Sequence, residues 1–283
     1  MKVEMVINNN DLIGECPTWN YNNNTFCWID VEGKKVCSLD EEKKIYNEVT
    51  LDKRIGFISF DENNSTIMGL EDGVYIDNKL IYVPSTHQDF VRFNDGKISP
   101  AGNLWAGTMA IDQSEYRAKN AAYLYKFSEN QKCTPLIKDV TISNGLEWSL
   151  DLKTFYYIDS PTNQIISYEY DIQDDTIKNP KIIIHFNDKN SVPDGMTIDD
   201  EGMLWVAKWG GYMVQRINPI TGDIIDEIDL PTAQVTSCTF GGRNLDTLYI
   251  TTASIGMNDE YAGAVFKVIP GVKGRKTFQM KNL

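Results

Sequence analysis

Six short apolar and aromatic segments recur along this chain of 283 residues, and their spacing restricts the fold more than any other feature. The central residues of the segments are Trp28, Met68, Trp105, Tyr157, Trp205 and Tyr249. The intervals between them are about 40, 37, 52, 48 and 44 residues, which is the range typical of propeller blades. The sequence therefore indicates six copies of one structural repeat.

Each aromatic segment lies between two further strand-like runs. A β-rich run follows it, at residues 35–39, 73–76, 123–127, 165–170, 213–217 and 264–269. An apolar run precedes it and ends in a turn rich in Asp, Asn and Gly, at residues 20–24, 61–64, 99–103, 149–153, 199–202 and 241–246. Three or four strands per repeat, without a convincing amphipathic helix, predict an all-β, six-bladed β-propeller. We expect residues 1–283 to form a single domain with the active site at the central channel.

A two-sheet sandwich is the alternative architecture for a chain of this length. A sandwich, however, need not repeat one pattern of three runs six times. Radial repetition also protects the edges of the sheets, and an N-terminal strand at residues 3–7 could close the ring by pairing into the last blade.

One position in each repeat is predicted to face the central axis. It lies 11 to 13 residues before the central aromatic position, at the start of the preceding strand. The six residues at this position are Glu15, Gly56, Asn94, Asn144, Asp194 and Ser237. If the first strand of each blade lines the channel, the six converge on one site, and four of them carry carboxylate or amide oxygens. The Asx-Gly pairs at 144–145 and 194–195 could also be simple turns, but these strands have their own turns at the opposite ends.

An acidic, oxygen-lined pocket suits a divalent cation such as Ca²⁺, Mg²⁺ or Mn²⁺. The chain has only two histidines and no HxxxH or HExxH motif, so the ligands must be oxygens. A divalent ion polarises a carbonyl and lowers the pKa of bound water, and a neighbouring carboxylate can then take the proton. No GxSxG elbow or P-loop is present, so the residues favour metal-assisted hydrolysis.

The charge balance excludes two classes of partner. The chain carries 40 acidic and 27 basic residues, for a formal charge of −13, and no basic block offsets this. Nucleic acid and anionic membrane surfaces are therefore excluded. The sequence shows no signal peptide and no membrane-length apolar run, and its five cysteines are scattered without a CxxC pair. We expect a cytoplasmic protein that is a monomer or a weak dimer.

At these positions the sequence resembles the regucalcin (senescence marker protein), gluconolactonase and luciferin-regenerating enzyme family of six-bladed propellers. The resemblance runs along nearly the whole chain. Its densest matches are GECPTW at 14–19, RFNDGK at 92–97 through AGTM at 106–109, SNGLEWS at 143–149, PDGM at 193–196 and TSCTFGG at 236–242. Each motif alone is weak, but five in order are specific.

The resemblance implies which residues bind the metal. By this similarity Glu15, Asn144 and Asp194 hold one divalent ion (Ca²⁺, Zn²⁺, Mg²⁺ or Mn²⁺), and Asp194 also acts as the proton donor and acceptor in lactone hydrolysis. These are three of the four oxygen-bearing positions found from the repeat.

The resemblance also implies substrate contacts. Arg92 and Asn94 are expected to bind hydroxyl or carbonyl oxygens of the sugar, and Asp112 maps onto a further carboxylate of the family. The vertebrate pattern has Glu at this last position, so the shorter Asp112 leaves substrate size open. Trp209 could stack on a sugar ring or pack a blade edge, and the loop at 111–120 could cover the site.

The predicted function is metal-dependent hydrolysis of aldonolactones such as gluconolactone, with Asp194 as general base. One alternative is a non-enzymatic propeller that binds calcium or another metal. A second is a hydrolase of a non-sugar substrate, as in luciferin regeneration, which apolar side chains in place of Arg92, Asn94 and Asp112 would favour.

Overall fold

The structure of the protein is a computed structural model that describes residues 1–128 and 132–281. The described residues form 24 β-strands, and the only helical segments among them are two short 3₁₀ turns, Tyr116–Ala118 and Ser160–Thr162. Of the predicted domain, residues 129–131 and 282–283 lie outside the described residues. None of the described helical segments is long and apolar enough to cross a bilayer.

The strands form six antiparallel four-stranded sheets; five have their strands in sequence order from the axis outwards, and the sixth has β1 as its outermost strand. The N-terminal strand is β1 (Glu4–Asn8). Blades 1 to 3 consist of β2 (Gly14–Asn20), β3 (Thr25–Asp30), β4 (Lys35–Asp40) and β5 (Ile45–Thr50); β6 (Ile55–Phe60), β7 (Thr66–Leu70), β8 (Val74–Ile76) and β9 (Lys79–Tyr82); β10 (Val91–Ile98), β11 (Leu104–Ala110), β12 (Ala122–Ser128) and β13 (Lys132–Val140). Blades 4 to 6 consist of β14 (Ser143–Trp148), β15 (Thr154–Asp159), β16 (Gln164–Asp171) and β17 (Thr176–His185); β18 (Val192–Ile198), β19 (Leu204–Trp209), β20 (Met213–Ile217) and β21 (Ile224–Asp229); β22 (Val235–Gly241), β23 (Thr247–Thr252), β24 (Ala264–Val268) and β1.

The six sheets close into a ring around the innermost strands β2, β6, β10, β14, β18 and β22. The prediction of an all-β, six-bladed propeller is confirmed. β1 pairs with β24, so the N-terminal strand completes the last blade as predicted. That residues 1–283 form one domain stays a prediction.

The core consists of apolar side chains packed between adjacent blades. Trp28, Trp105 and Trp205 are almost fully buried there, as their recurrence in the aromatic segments predicts. Each donates its indole N–H to a buried carboxylate, and the acceptors are Asp11 (2.8 Å), Asp175 (3.1 Å) and Asp199 (2.9 Å). The large rings are therefore buried without an unsatisfied donor.

Every innermost strand carries a β-bulge near its start, where its pairing with the second strand changes register. Bulges redirect side chains and commonly occur beside active sites. Gly145 and Gly195 lie at two of these bulges, so the Asx-Gly pairs belong to strands rather than to turns. A Cβ at Gly145 would lie 2.7 Å from the Asp194 carbonyl oxygen, and one at Gly195 would collide with Ser237 Oγ. Glycine lets the innermost strands approach one another closely.

The C-terminal segment, residues 270–281, crosses the ring at the end opposite to the strand starts. It contacts the turns that join first and second strands in all six blades, through Tyr21, Asp61, Gly102, Ser149, Asp200 and Leu245. Met280 is buried, and the Phe278 ring packs edge-on against Trp148. This segment covers one mouth of the channel.

Candidate active site

A cavity of about 380 Å³ lies at the end of the ring where the innermost strands begin. Five polar side chains from β2, β10, β14 and β18 line it, namely Glu15, Arg92, Asn94, Asn144 and Asp194, and we call them the polar floor. The sequence predicts all five as site residues, and the structure brings them together. Their roles as ligands, base and substrate contacts stay predictions.

Carboxylates at the ends of two second strands hold the segments that lead into the floor. Asp30, at the end of β3, accepts hydrogen bonds from the backbone N–H groups of Leu12 and Ile13, both at 3.0 Å. Asp159, at the end of β15, accepts one from Ile142 at 2.9 Å. These contacts fix the backbone two residues before Glu15 and before Asn144.

A chain of hydrogen bonds crosses the floor from blade 3 to blade 5. Arg92 Nη1 donates to Asn94 Oδ1, Asn94 Nδ2 donates to Asn144 Oδ1, and Asn144 Nδ2 donates to Ser160 Oγ, each at 2.8 Å. Ser160 Oγ in turn donates to the Pro193 carbonyl at 2.7 Å. Because that hydroxyl must accept from Asn144, the amide can adopt only one orientation. Its oxygen therefore stays on the Asn94 side, with a lone pair left for a further partner.

The ionised forms of three carboxyl groups are destabilised, so their pKa values are raised. Two of these groups belong to the polar floor and the third lies beside it. Burial, followed by the charge of Asp95, raises the pKa of Glu15 to about 8. Burial and the charges of Glu15 and Asp95 raise the pKa of Asp194 well above its usual value. Burial also raises the pKa of Asp95 to about 6. Arg92 is the nearby positive charge, and burial lowers its pKa to about 10, so it remains protonated at neutral pH.

This donor set fits a divalent cation. Glu15 uses Oε2 to accept the Cys16 backbone N–H at 2.8 Å, which leaves its other oxygen available. Together with Asn144 Oδ1 and the Asp194 carboxylate it provides hard oxygen ligands, and a cation would relieve the repulsion between the two acids. No three His, Cys, Asp or Glu side chains in residues 1–128 and 132–281 form a metal-binding group, and that the Asn144 amide is the third ligand stays a prediction.

The rest of the cavity lining is mainly apolar. Three of these side chains lie two residues before a floor residue, at or just before the start of an innermost strand, and the others lie near or just beyond the ends of second strands. We call them the apolar wall: Ile13, Val31, Met109, Ile142, Val192, Trp209 and Ile255. The sequence prediction missed all of them except Trp209. The alternation of a strand could have identified the first group, because residues i and i−2 share a face.

Asp112 lies outside the residues that line the cavity. Its exposed carboxylate accepts hydrogen bonds from the Ser114 backbone N–H (2.9 Å) and hydroxyl (2.7 Å), which hold the pKa of Asp112 below its usual value. The adjacent Gln113 lines the cavity instead, and its Nε2 donates to the Ala110 carbonyl at 2.8 Å. The contact between Asp112 and substrate stays a prediction.

A larger cleft, of about 560 Å³, lies between blades 1 and 2. Its walls carry apolar side chains and several asparagines, but none of the residues of the polar floor. Size alone therefore does not identify the active site, and the convergence of buried acids favours the axial cavity.

Comparison with known proteins agrees with this geometry. Residues 13–254 match the model of the SMP-30/Gluconolactonase/LRE-like region. The chain belongs to this family. The matched region contains the entire polar floor and ends one residue before Ile255, so β1 and the C-terminal segment lie outside it. The family resemblance predicted from the sequence motifs is confirmed.

Three relatives illustrate the range of the family. YvrE of Bacillus subtilis (strain 168), a sugar lactone lactonase by name, is 36% identical over 267 residues, which are 90% of each chain. Human regucalcin is 34% identical over 288 residues, covering 97% of this chain and 96% of its own. The solved structure of a luciferin-regenerating enzyme superposes with a TM-score of 0.92 at 32% identity, over 99% of both chains.

Proposed function

We propose that the protein is a lactonase that hydrolyses sugar lactones such as gluconolactone and requires one divalent cation held by Glu15, Asn144 and Asp194. Membership of the family and the name of the Bacillus subtilis relative support lactone hydrolysis. The observation that carries the metal requirement is the half-buried Glu15 and the buried Asp194 beside an amide oxygen of fixed orientation.

Asp194 supplies the proton transfers of the proposed mechanism. Burial and the neighbouring acids raise the pKa of Asp194, which makes its carboxylate a stronger base for taking a proton from water. When bound, a divalent cation supplies Lewis-acid polarisation of the lactone carbonyl and lowers the pKa of water. The proton that Asp194 receives goes to the ring oxygen as the ester bond breaks, so the residue is regenerated.

Arg92 and Asn94 orient the substrate from the other side of the floor. Arg92 Nη1 already bonds to Asn94 and to the Phe93 carbonyl, so its remaining N–H groups are those that could reach a substrate oxygen. Asp112 is proposed as an additional contact to a sugar hydroxyl, made from the loop beside Gln113.

Turnover of lactones by the Asp194→Asn variant tests this mechanism. We expect kcat to fall by about 10²–10⁴-fold, the usual contribution of a general base, and metal binding to weaken. Asp226→Asn, on the exposed outer strand β21, is the matched control and should retain full activity. Gluconolactone hydrolysis is followed by pH drop with Ca²⁺, Mg²⁺, Mn²⁺ or Zn²⁺ and with EDTA. Full turnover by Asp194→Asn, or by the wild type in EDTA, contradicts the proposal.

A metal-binding propeller without catalysis is the second candidate, because the three ligands would serve it equally well. Failure to hydrolyse any lactone with saturating metal, combined with tight metal binding, would favour it. We further propose a cytoplasmic monomer or weak dimer. The five cysteines are free thiols, which suits a reducing compartment.

A further inference from the structure

The apolar wall gives the cavity a hydrophobic surface, which a sugar substrate does not require. Of the described residues that line the cavity above the floor, only Gln113, Ser160 and Trp209, through its indole N–H, offer polar groups. Ser160 Oγ already accepts from Asn144 and donates to Pro193. Gln113 and the Trp209 indole N–H are therefore the main groups available to bond a substrate hydroxyl on that side.

A polyhydroxylated lactone matches the floor but not the wall. Hydroxyls that turn towards Ile142, Val192 or Ile255 lose their hydrogen bonds to water and gain no partner. An alkyl or aryl group at the same place would bury apolar surface against these side chains. The cavity of about 380 Å³ is at the lower end of the range for small-molecule pockets, which suits a lactone ring with a short substituent.

We propose that lactones bearing an alkyl or aryl substituent on the ring are a second substrate class of this site. The inference rests on the proposed lactonase function, since the same polar floor would perform the reaction. Water adds across the acyl–oxygen bond: a new C–O bond forms at the carbonyl carbon, the ring C–O bond to that carbon breaks, and the ring oxygen takes the proton. The single product is a hydroxy acid, and water is the only other reactant.

The experiment compares gluconolactone with a series of δ-lactones that carry alkyl chains of increasing length, using the metal-loaded protein. We expect the alkyl lactones to be hydrolysed and their KM to fall by about fourfold for each added methylene that reaches the wall. The effect should stop once the chain extends beyond Ile255, which is 43% exposed at the mouth.

Two wall variants test whether the wall causes this preference. Val192→Thr keeps the side-chain shape and adds a hydroxyl, and Ile255→Thr makes a similar change at the mouth. We expect each to raise KM for the longest alkyl lactone several-fold, and by a larger factor than it changes KM for gluconolactone. Ile220→Thr, at a turn in blade 5 where the side chain is 87% exposed, should change neither and serves as the control. Far-UV circular dichroism and urea unfolding check that each variant is folded.

The outcomes separate this inference from the proposed function. Hydrolysis of gluconolactone alone, or a KM that depends neither on chain length nor on the two wall variants, overturns the inference and leaves the lactonase proposal intact. Failure on both substrate classes with saturating metal overturns the lactonase proposal itself.

Discussion

At the scale of single residues, the carboxyl groups of Glu15 and Asp194 stay protonated at a higher pH than exposed carboxyl groups do. Without a cation, Glu15 has a pKa of about 8, and Asp194 is also raised, so at pH 7 the pair is not fully ionised. A cation must displace these protons to bind. Metal affinity is therefore coupled to pH.

We expect the metal Kd to increase by about tenfold per pH unit, for each displaced proton, as the pH falls below the pKa of these acids. Titration calorimetry at pH 6.0 and 8.5, in buffers with different ionisation enthalpies, gives both the Kd and the number of protons released. Glu15→Gln should bind more weakly and with a smaller pH dependence. A Kd that is constant over this range would contradict the electrostatic description of the site.

Lys208 is a buried residue outside the polar floor, and burial of its ammonium group destabilises the folded state. Its Nζ lies 3.7 Å from the centre of the Phe186 ring and has no hydrogen-bond partner in the described part of the chain. Burial lowers the pKa of Lys208 to about 8, so folding disfavours its charged form. This cost is fully present below pH 8 and disappears as the pH rises from about 8 towards the ordinary lysine value.

We therefore expect Lys208→Met to raise the free energy of unfolding by about 1–3 kcal/mol at pH 6, because it removes an unpaired buried polar group. The advantage should shrink when urea unfolding is repeated at pH 10. Lys181→Met, on the exposed outer strand β17, is the control and should change stability little at either pH. A destabilised Lys208→Met protein would show that the ammonium group has a favourable partner.

At the scale of strands, the bulges and their glycines position the proposed ligands Asn144 and Asp194. Gly145 follows Asn144 where β14 lies against β18, and any side chain there would meet the Asp194 carbonyl at 2.7 Å and Met196 Cγ at 2.9 Å. The two ligand-bearing strands can be this close only without a Cβ.

Gly145→Ala should therefore move β14 away from β18, weaken metal binding by at least tenfold, and destabilise the fold by about 1–3 kcal/mol through overpacking. Calorimetry and urea unfolding measure the two effects. The control is Gly271→Ala, where φ is +87° but no atom lies within 4 Å, so it should cost only about 1–2 kcal/mol of stability. Equal metal affinity in both variants would show that strand spacing does not set the ligand geometry.

The same scale shows what the sequence could and could not predict. The repeat interval located all six innermost strands, and counting within it identified Glu15, Asn94, Asn144 and Asp194, because identical blades place equivalent residues at equivalent heights. Apart from Trp209, the apolar wall was not predicted. Four of its seven residues come from near the ends of second strands, where a residue that packs within a blade and one that lines the cavity have the same apolar character. Gln113 was missed because its position depends on a loop without periodicity.

At the scale of the whole molecule, the covered mouth of the channel contains a buried ion cluster. Glu147 is almost fully buried, and burial would raise its pKa, but the charges of Lys97 and Arg275 hold it below its usual value. Lys97 Nζ donates to Glu147 at 2.9 Å and to the Met196 carbonyl at 2.7 Å, which links blades 3, 4 and 5. Arg275, from the C-terminal segment, bonds to the same carboxylate at 2.5 Å.

Arg275→Met should lower the free energy of unfolding by about 2–4 kcal/mol, because, among the described residues, the buried Glu147 carboxylate then has only Lys97 as a positively charged partner. Arg243→Met breaks a comparable pair with Glu42, but both side chains there are more than 60% exposed, so it should cost less than about 1 kcal/mol. Urea unfolding compares the two. Equal losses would mean that the C-terminal segment is not held through this cluster.

The pairing of β1 with β24 also has a consequence for biosynthesis. A nascent chain emerges from the ribosome with β1 first, yet the partner of that strand is made almost last. Until then, β1 and the innermost faces of the early blades remain open to solvent, and such unpaired edges bind other unfolded chains readily. Translation speed and chaperone supply should therefore have a strong effect on the soluble yield of this protein. Their effect should be smaller for a propeller in which the four strands of every blade are consecutive in sequence.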